Sequence, residues 1–221
     1  MHKFETPAPI AAVLDIPAGR IRFIAADRAD TTVEVLPADA SNGRDVKAAE
    51  QARVEYGAGV LRIEASAQNR ILGDSGSIEV TIQLPVDSRV EAKAASAEFR
   101  GVGRLGDVVV EGSHGAIKID EAASARLTLL AGDVAVGRLN GPAEIGTKKG
   151  DIRIAEAVRG TVVLRTDAGE VSVGAARGVS ASLDAGTGYG RIDNALKNTD
   201  GAADLNIHAT TAYGDIIARS L

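Results

Sequence analysis

One five-residue pattern recurs six times in the second half of this chain and restricts its fold more than any other feature. Gly150-Asp151-Ile152-Arg153-Ile154 has counterparts in Gly115-Ala116-Ile117-Lys118-Ile119, Gly132-Asp133-Val134-Ala135-Val136 and Gly169-Glu170-Val171-Ser172-Val173. Shorter versions are Gly190-Arg191-Ile192 and Gly214-Asp215-Ile216-Ile217. From glycine to glycine the steps are 17, 18, 19, 21 and 24 residues. Self-similarity at such a period is the signature of a repeat architecture. It speaks to shape and is silent on chemistry.

Each unit reads as strand, tight corner, strand, loop. Successive strand side chains point to opposite faces, so Ile152 and Ile154 turn inward and Arg153 faces solvent. Stacking in chain order predicts an inward column of Phe99, Ile117, Val134, Ile152, Val171, Ile192 and Ile216. Most of these are β-branched and suit a half-buried pleated surface. Five residues before the glycine lies a second apolar position, Val110, Leu127, Ile145 and Leu164. The last two units read as carrying two extra corner residues, which moves that position to Leu183 and Ile207. Three residues before the glycine stand Thr147, Thr166, Thr187 and Thr211. Tyr189 and Tyr213 directly precede their glycines, so their rings should stack in adjacent rungs. Gly141, Gly160 and Gly178 close each unit.

A single unit cannot bury its apolar face; stacked units share one core. Same-direction strands at this spacing, with no helix between them, predict an all-β, single-stranded right-handed parallel β-solenoid with about 17–24 residues per rung. The left-handed alternative lacks its hexapeptide signature. No composition break interrupts the chain, so residues 1–221 read as one domain, with N-terminal rungs over 1–95 and regular repeats over 96–221.

These units, with the opening Pro17-Ala18-Gly19-Arg20-Ile21-Arg22-Phe23 and the segment Val80–Pro85, resemble the bacterial putative-adhesin family of β-strand-repeat domains. The resemblance spans about Phe4 to Leu221. It implies a non-catalytic β-solenoid with no assigned catalytic residues. Many relatives of that kind are secreted or membrane-tethered.

In the N-terminal half, strand-like runs fall at Ala12–Ile16, Arg20–Ile24 and Thr32–Leu36, followed by a polar loop from Pro37 to Asp45. The Ala, Lys, Glu and Gln of Asp45–Ala52 predict a short helix. Arg53–Tyr56 and Val60–Ala65 form a hairpin around Gly57-Ala58-Gly59, and Ser66–Ser77 reads as a mobile loop. Ile78, Val80, Ile82 and Leu84 alternate cleanly up to Pro85, and Asn194–Ala203 is a long insertion between late rungs.

Composition narrows the function. The chain has no cysteine, which leaves no disulfide, thiolate metal site or cysteine nucleophile. The longest apolar run near the N-terminus, Ile10–Leu14, is too short for a signal-peptide core. No window reaches a membrane span. If Met1 is the natural start, a cytoplasmic location is expected. A net charge of −5 with scattered cations disfavours a nucleic-acid footprint.

No catalytic, cofactor-binding or metal-binding residue is nominated. The acids after the corner glycine, Asp133, Asp151, Glu170 and Asp215, lack the nine-residue period and paired glycines of a calcium solenoid. Turn chemistry, with Asp bonding its own backbone, accounts for them. Arg104, Arg138, Arg159 and Arg177 could form an anionic-partner stripe, but arginines flanked by acids usually mark a solvated edge, and Lys148 and Lys149 read likewise. His2, His114 and His208 show no metal-ligand spacing. Ser75 and Ser113-His114-Gly115 lack a nucleophile elbow. Gly101-Val102-Gly103-Arg104-Leu105-Gly106 mimics a dinucleotide fingerprint without the helix that would follow it.

The expectation is a binding or assembly module with an unidentified macromolecular partner, or one that self-associates through the solenoid ends. The alternative is a carbohydrate-active enzyme on a parallel β-helix. It is weakened by the absence of Trp, the three Tyr and three Phe, and the lack of a carboxylate pair apart from the turn positions.

Overall fold

The computed structural model describes residues 1–65, 76–198 and 202–221. The chain is all-β apart from one short helix. In order, the elements are β1 (His2–Glu5), β2 (Ala11–Ala26), β3 (Asp30–Pro37), α1 (Gly43–Gln51), β4 (Arg53–Gly57), β5 (Val60–Glu64) and β6 (Ile78–Pro85). The repeats supply β7 (Arg89–His114), β8 (Ile117–Thr128), β9 (Val134–Leu139), β10 (Ala143–Lys149), β11 (Ile152–Ala157) and β12 (Gly160–Ala168). They end with β13 (Val171–Ala175), β14 (Ala181–Tyr189), β15 (Ile192–Ala195), β16 (Leu205–Tyr213) and β17 (Ile216–Ser220). Of the expected mobile loop, residues 66–75 lie outside the described residues.

The strands pair along two ladders. One runs β4-β5-β2-β7-β8-β10-β12-β16-β14. The other runs β1-β3-β6-β2-β7-β8-β9-β11-β13-β17-β15. The long strands β2, β7 and β8 pass from one ladder into the other. Within the first, Arg89–Asp107 and Lys93–Glu111, at 3.0 and 3.6 Å, tie the start of β7 to its own residues 18 positions later. All pairings are parallel except β1–β3, β3–β6 and β4–β5.

Residues from both ladders form one continuous buried cluster reaching from Ile10 to Ile216. The inward column is in register, Phe99↔Ile117↔Val134↔Ile152↔Val171, and all five are buried. Its far end departs from chain order. Val171 pairs with Ile216, and Ile216 with Ile192, so the last repeat lies between the two before it. The side chains give the reason. β16 and β17 bury Leu205, Ile207, Ala209, Ile216 and Ala218, whereas β14 and β15 carry Asp184, Gly186, Gly188, Asp193 and Asn194. The more apolar rung takes the place covered on both sides, and the polar one takes the edge, where charge and glycine are tolerated.

The N-terminal end mirrors this. β2 lies between β5/β6 and β7, so the first rung in sequence is second in space. Antiparallel β4 and the β1–β3 pair flank that end and put Arg53, Glu55, Lys3 and Glu5 on its outermost strands, with Phe4 and Tyr56 packed at 5.2 Å. The helix expected at Asp45–Ala52 spans Gly43–Gln51, N-capped by Asn42. The buried Asp45 carboxylate accepts from the Ser77 and Asp39 amides at 2.9 and 3.1 Å, fastening the helix to its neighbours.

The two extra corner residues expected in the last units are not there. Thr166 pairs with Thr211 and Thr211 with Thr187, and the position beside Leu164 is filled by Ala209 and Ala185. Volume has moved one inward position back, to Val162, Ile207 and Leu183, which are in register. Corner glycines sit one above another. At Gly150, φ is +143° and a Cβ would lie 2.1 Å from the Gly132 carbonyl oxygen, so no other residue fits.

Candidate interaction surfaces

The threonines three residues before four of the corners form a hydrogen-bonded ladder. Thr166, Thr211 and Thr187 donate from Oγ1 to the carbonyls of Gly150, Gly169 and Gly214, at 3.1, 3.1 and 2.9 Å. Each of these three carbonyls thereby gains a donor from a neighbouring rung.

The acid column is structural, by a different bond from the one expected. Asp133 accepts from the Asp151 amide at 2.9 Å, Asp151 from Glu170 at 2.8 Å, and Asp215 from Arg191 at 2.8 Å. The carboxylates therefore bond the neighbouring rung and not their own backbone. The amide and side chain of Arg191 hold the Asp215 carboxyl below the usual carboxylate range. Among the described residues, no three His, Asp or Glu side chains converge as a metal-ligand group.

Arg104, Arg138 and Arg159 are engaged one by one, as the reading of a solvated edge expects. Arg104 forks onto Asp87 at 2.8 and 3.0 Å, Arg138 meets Glu156 at 2.5 Å, and Arg159 donates to the Asn140 carbonyl at 3.3 Å. Register alternates the charges, Arg104↔Glu121↔Arg138↔Glu156, so this edge is close to neutral. Arg177 is exposed in a turn, and Lys148 and Lys149 are exposed at their corner. A shallow groove of about 460 Å³ on the first ladder is bordered by Arg89, Asp107, Arg126 and Glu144, themselves joined in ion pairs.

The histidines stay apart. His2 stacks on Phe4 at 6.4 Å, His114 bridges to Ala131 at a corner, and His208 Nδ1 lies 3.2 Å from Asp184 on an exposed face. Ser113 and His114 end β7, and Ser75 lies outside the described residues. The glycine-rich run 101–106 is inside β7. Gly103, with φ +79°, marks a register shift between Gly101 and Arg104 and leads into no helix.

Two surfaces remain. The first is the open end of the stack. Among the described residues, β14 pairs only with β16 and β15 only with β17. Tyr189 stacks on Tyr213 as expected, with centroids 5.1 Å apart and planes within 4°, and Tyr189 is 72% exposed. Ile192, inward in register, is 46% exposed because no rung among the described residues lies beyond it. Leu196 packs over part of the core, and the Lys197 carbonyl accepts from the Ala181 amide, closing only the start of β14.

The second surface is a row of which the sequence units give Lys118, Ala135 and Arg153 as stacked outward positions, and to which strand pairing adds Arg22 and Arg100. Arg22↔Arg100↔Lys118↔Ala135↔Arg153 are cross-strand neighbours on the outer face of the second ladder. The signal in the sequence is a cation three residues after the corner, seen at Gly19, Gly115 and Gly150. Arg100, in a unit without a corner glycine, joins through its pairing with Lys118, and Arg22 joins through the pairing of β2 with β7.

No helix among the described residues is long and apolar enough to cross a membrane. No functionally curated protein matches the chain in sequence. A crystal structure described as a putative cell adhesion protein from Clostridium sporogenes is 12% identical, with 100% of this chain and 98% of that chain covered and a TM-score of 0.42. Structures described as putative adhesins come from Bacteroides fragilis, at 11% identity with 98% and 95% covered and a TM-score of 0.48, and from Parabacteroides distasonis, at 13% with 98% and 95% covered and a TM-score of 0.46. The profile of the Toastrack DUF4097 family matches residues 13–219, nearly the whole chain, and the protein belongs to that family.

Proposed function

We propose that the chain is a non-catalytic, adhesin-like binding and assembly module, one right-handed parallel β-solenoid whose exposed surfaces contact another macromolecule. The observation that carries this reading is the open end of the stack. There, unpaired strand edges, the half-exposed Ile192 and the free face of Tyr189 point along one axis, while the opposite end is covered by antiparallel strands that carry charge. Such edges recruit strands. The carboxylates most regularly placed are occupied by backbone amides, which favours binding over hydrolysis.

Light scattering over a wide concentration range tests the assembly side. Association that rises with concentration and is dispersed by Tyr189→Lys supports contact through this end. A strict monomer throughout removes self-assembly and leaves a different macromolecule as the partner.

A further inference from the structure

We infer that the outer face of the second ladder is a binding track for a linear acidic polysaccharide, one bearing a carboxylate on each sugar. The inference rests on the binding-module reading and names a ligand class for a face away from the open end.

The track is the row Arg22, Arg100, Lys118, Ala135 and Arg153, which occupies five consecutive strands. Arg22, Lys118 and Arg153 are exposed and, among the described residues, form no ion pair or side-chain hydrogen bond. Arg100 is tied to Asp120 at 2.6 Å and to the Lys118 carbonyl at 3.4 Å, so its charge is offset and its position fixed. The other three cations have no such partner among the described residues, and nothing in the packing of the core requires them there.

Pitch and the flanking residues select the ligand. Neighbouring strands are about 4.8 Å apart, so the free cations Arg22, Lys118 and Arg153, each two strands from the next, recur at about 9.6 Å over about 19 Å. A pyranose chain advances by close to one strand spacing per sugar, so every second sugar comes level with a free cation, whereas an extended acidic peptide presents same-side carboxylates about 6.7 Å apart. Duplex DNA carries one charge per about 1.7 Å. Two residues before the row lie Glu98, Asp133 and Asp151 on three of its strands, with Arg20 and Ala116 on the other two, and the acids repel a ligand that offers only anions. A polyuronate also carries hydroxyl donors, which acidic side chains accept. On the other flank Asp120 is held by Arg100, and the remaining positions, Ile24, Val102, Gly137 and Ala155, carry no charge.

The experiment measures binding of polygalacturonate to the full chain at low and at physiological salt. Neutral dextran, oligo-glutamate and a single-stranded oligonucleotide serve as comparison probes. Expected is binding to polygalacturonate alone, weakening as salt rises. Lys118→Gln with Arg153→Gln should reduce affinity at least about tenfold, whereas Arg104→Gln with Arg126→Gln, off the row, should leave it unchanged. Ala135→Lys fills the gap and should tighten binding several-fold. The inference is overturned by an absence of polygalacturonate binding at low salt, by indifference to the row substitutions, or by equal or tighter binding of the peptide or oligonucleotide. Those outcomes leave the concentration dependence and the effect of Tyr189→Lys intact, so the two readings fail separately.

Discussion

Val171 lies beside Ile216, 45 residues further along the chain, and Ile192 of the intervening repeat lies beyond it. A strand at the end of a stack has one edge of its backbone unpaired. Here the first and last repeat rungs lie one place inward, β2 between β6 and β7, and β17 between β13 and β15, while β1, among the described residues, pairs only with β3 at an edge. Each of β2 and β17 is thus hydrogen-bonded on both sides.

The strand order can be checked directly, because the chain has no cysteine. Ser172 and Ile217 are outward partners in register, whereas Ser172 and Asp193 are separated by β17. A short thiol cross-linker should join Ser172→Cys with Ile217→Cys and fail with Ser172→Cys and Asp193→Cys. The reverse result, read by mass spectrometry, would restore chain order.

Ile152 is fully buried and Arg153, one residue on, is exposed. Ile152→Asp should cost several kcal/mol, a large part of a domain's margin of about 5–15 kcal/mol. Arg153→Ala should stay within about 0.5 kcal/mol. Chemical denaturation compares the two, and equal midpoints would contradict the inward and outward assignment.

Gly150→Ala meets both a positive φ and a Cβ 2.1 Å from a carbonyl oxygen, whereas a Cβ at Gly146 meets nothing within 4 Å. The first should cost at least about 3 kcal/mol, and the second should be neutral or slightly stabilising. Thermal unfolding of the pair separates corner geometry from a general intolerance of substitution.

Thr166→Val removes the hydroxyl that serves the Gly150 carbonyl while keeping the side chain's shape. The expected loss is about 1 kcal/mol. A change indistinguishable from zero would mean that water replaces the hydroxyl at that corner.

Asp107 accepts from the Ser124 hydroxyl at 2.7 Å and pairs with Arg89 at 3.0 Å, and these hold its carboxyl below the usual range, the hydroxyl more than the arginine. A carboxyl depressed in the folded state contributes stability that is full above its unfolded pKa and is lost as pH falls through the folded one. Stability should therefore decline on the acid side, below the ordinary carboxylate range. Asp107→Asn should flatten part of that decline in a series of denaturation curves taken against pH.

Legibility in the sequence followed the range of the forces involved. The corner glycines, the alternation of Ile152, Arg153 and Ile154, the helix near Asp45 and the stacking of Tyr189 on Tyr213 are set by local conformation and by one repeat meeting its like. All were readable without coordinates. Repeat identity cannot fix which rung neighbours which, since Ile192 and Ile216 carry the same inward residue. That choice fell to burial, which sent the Leu205–Ala218 rung inside and left the rung with Asp184 and Asp193 at the edge. Tertiary pairing set Glu121 and Glu156 beside Arg138, which makes the edge read as solvated in the sequence close to neutral. It also extended the outward column of Lys118, Ala135 and Arg153, by carrying Arg22 across 78 residues of sequence to Arg100. Periodicity thus determined the stacked parallel strands and their inward face, while the partners of the outer charges and the order of the ends were settled only when distant strands came into register.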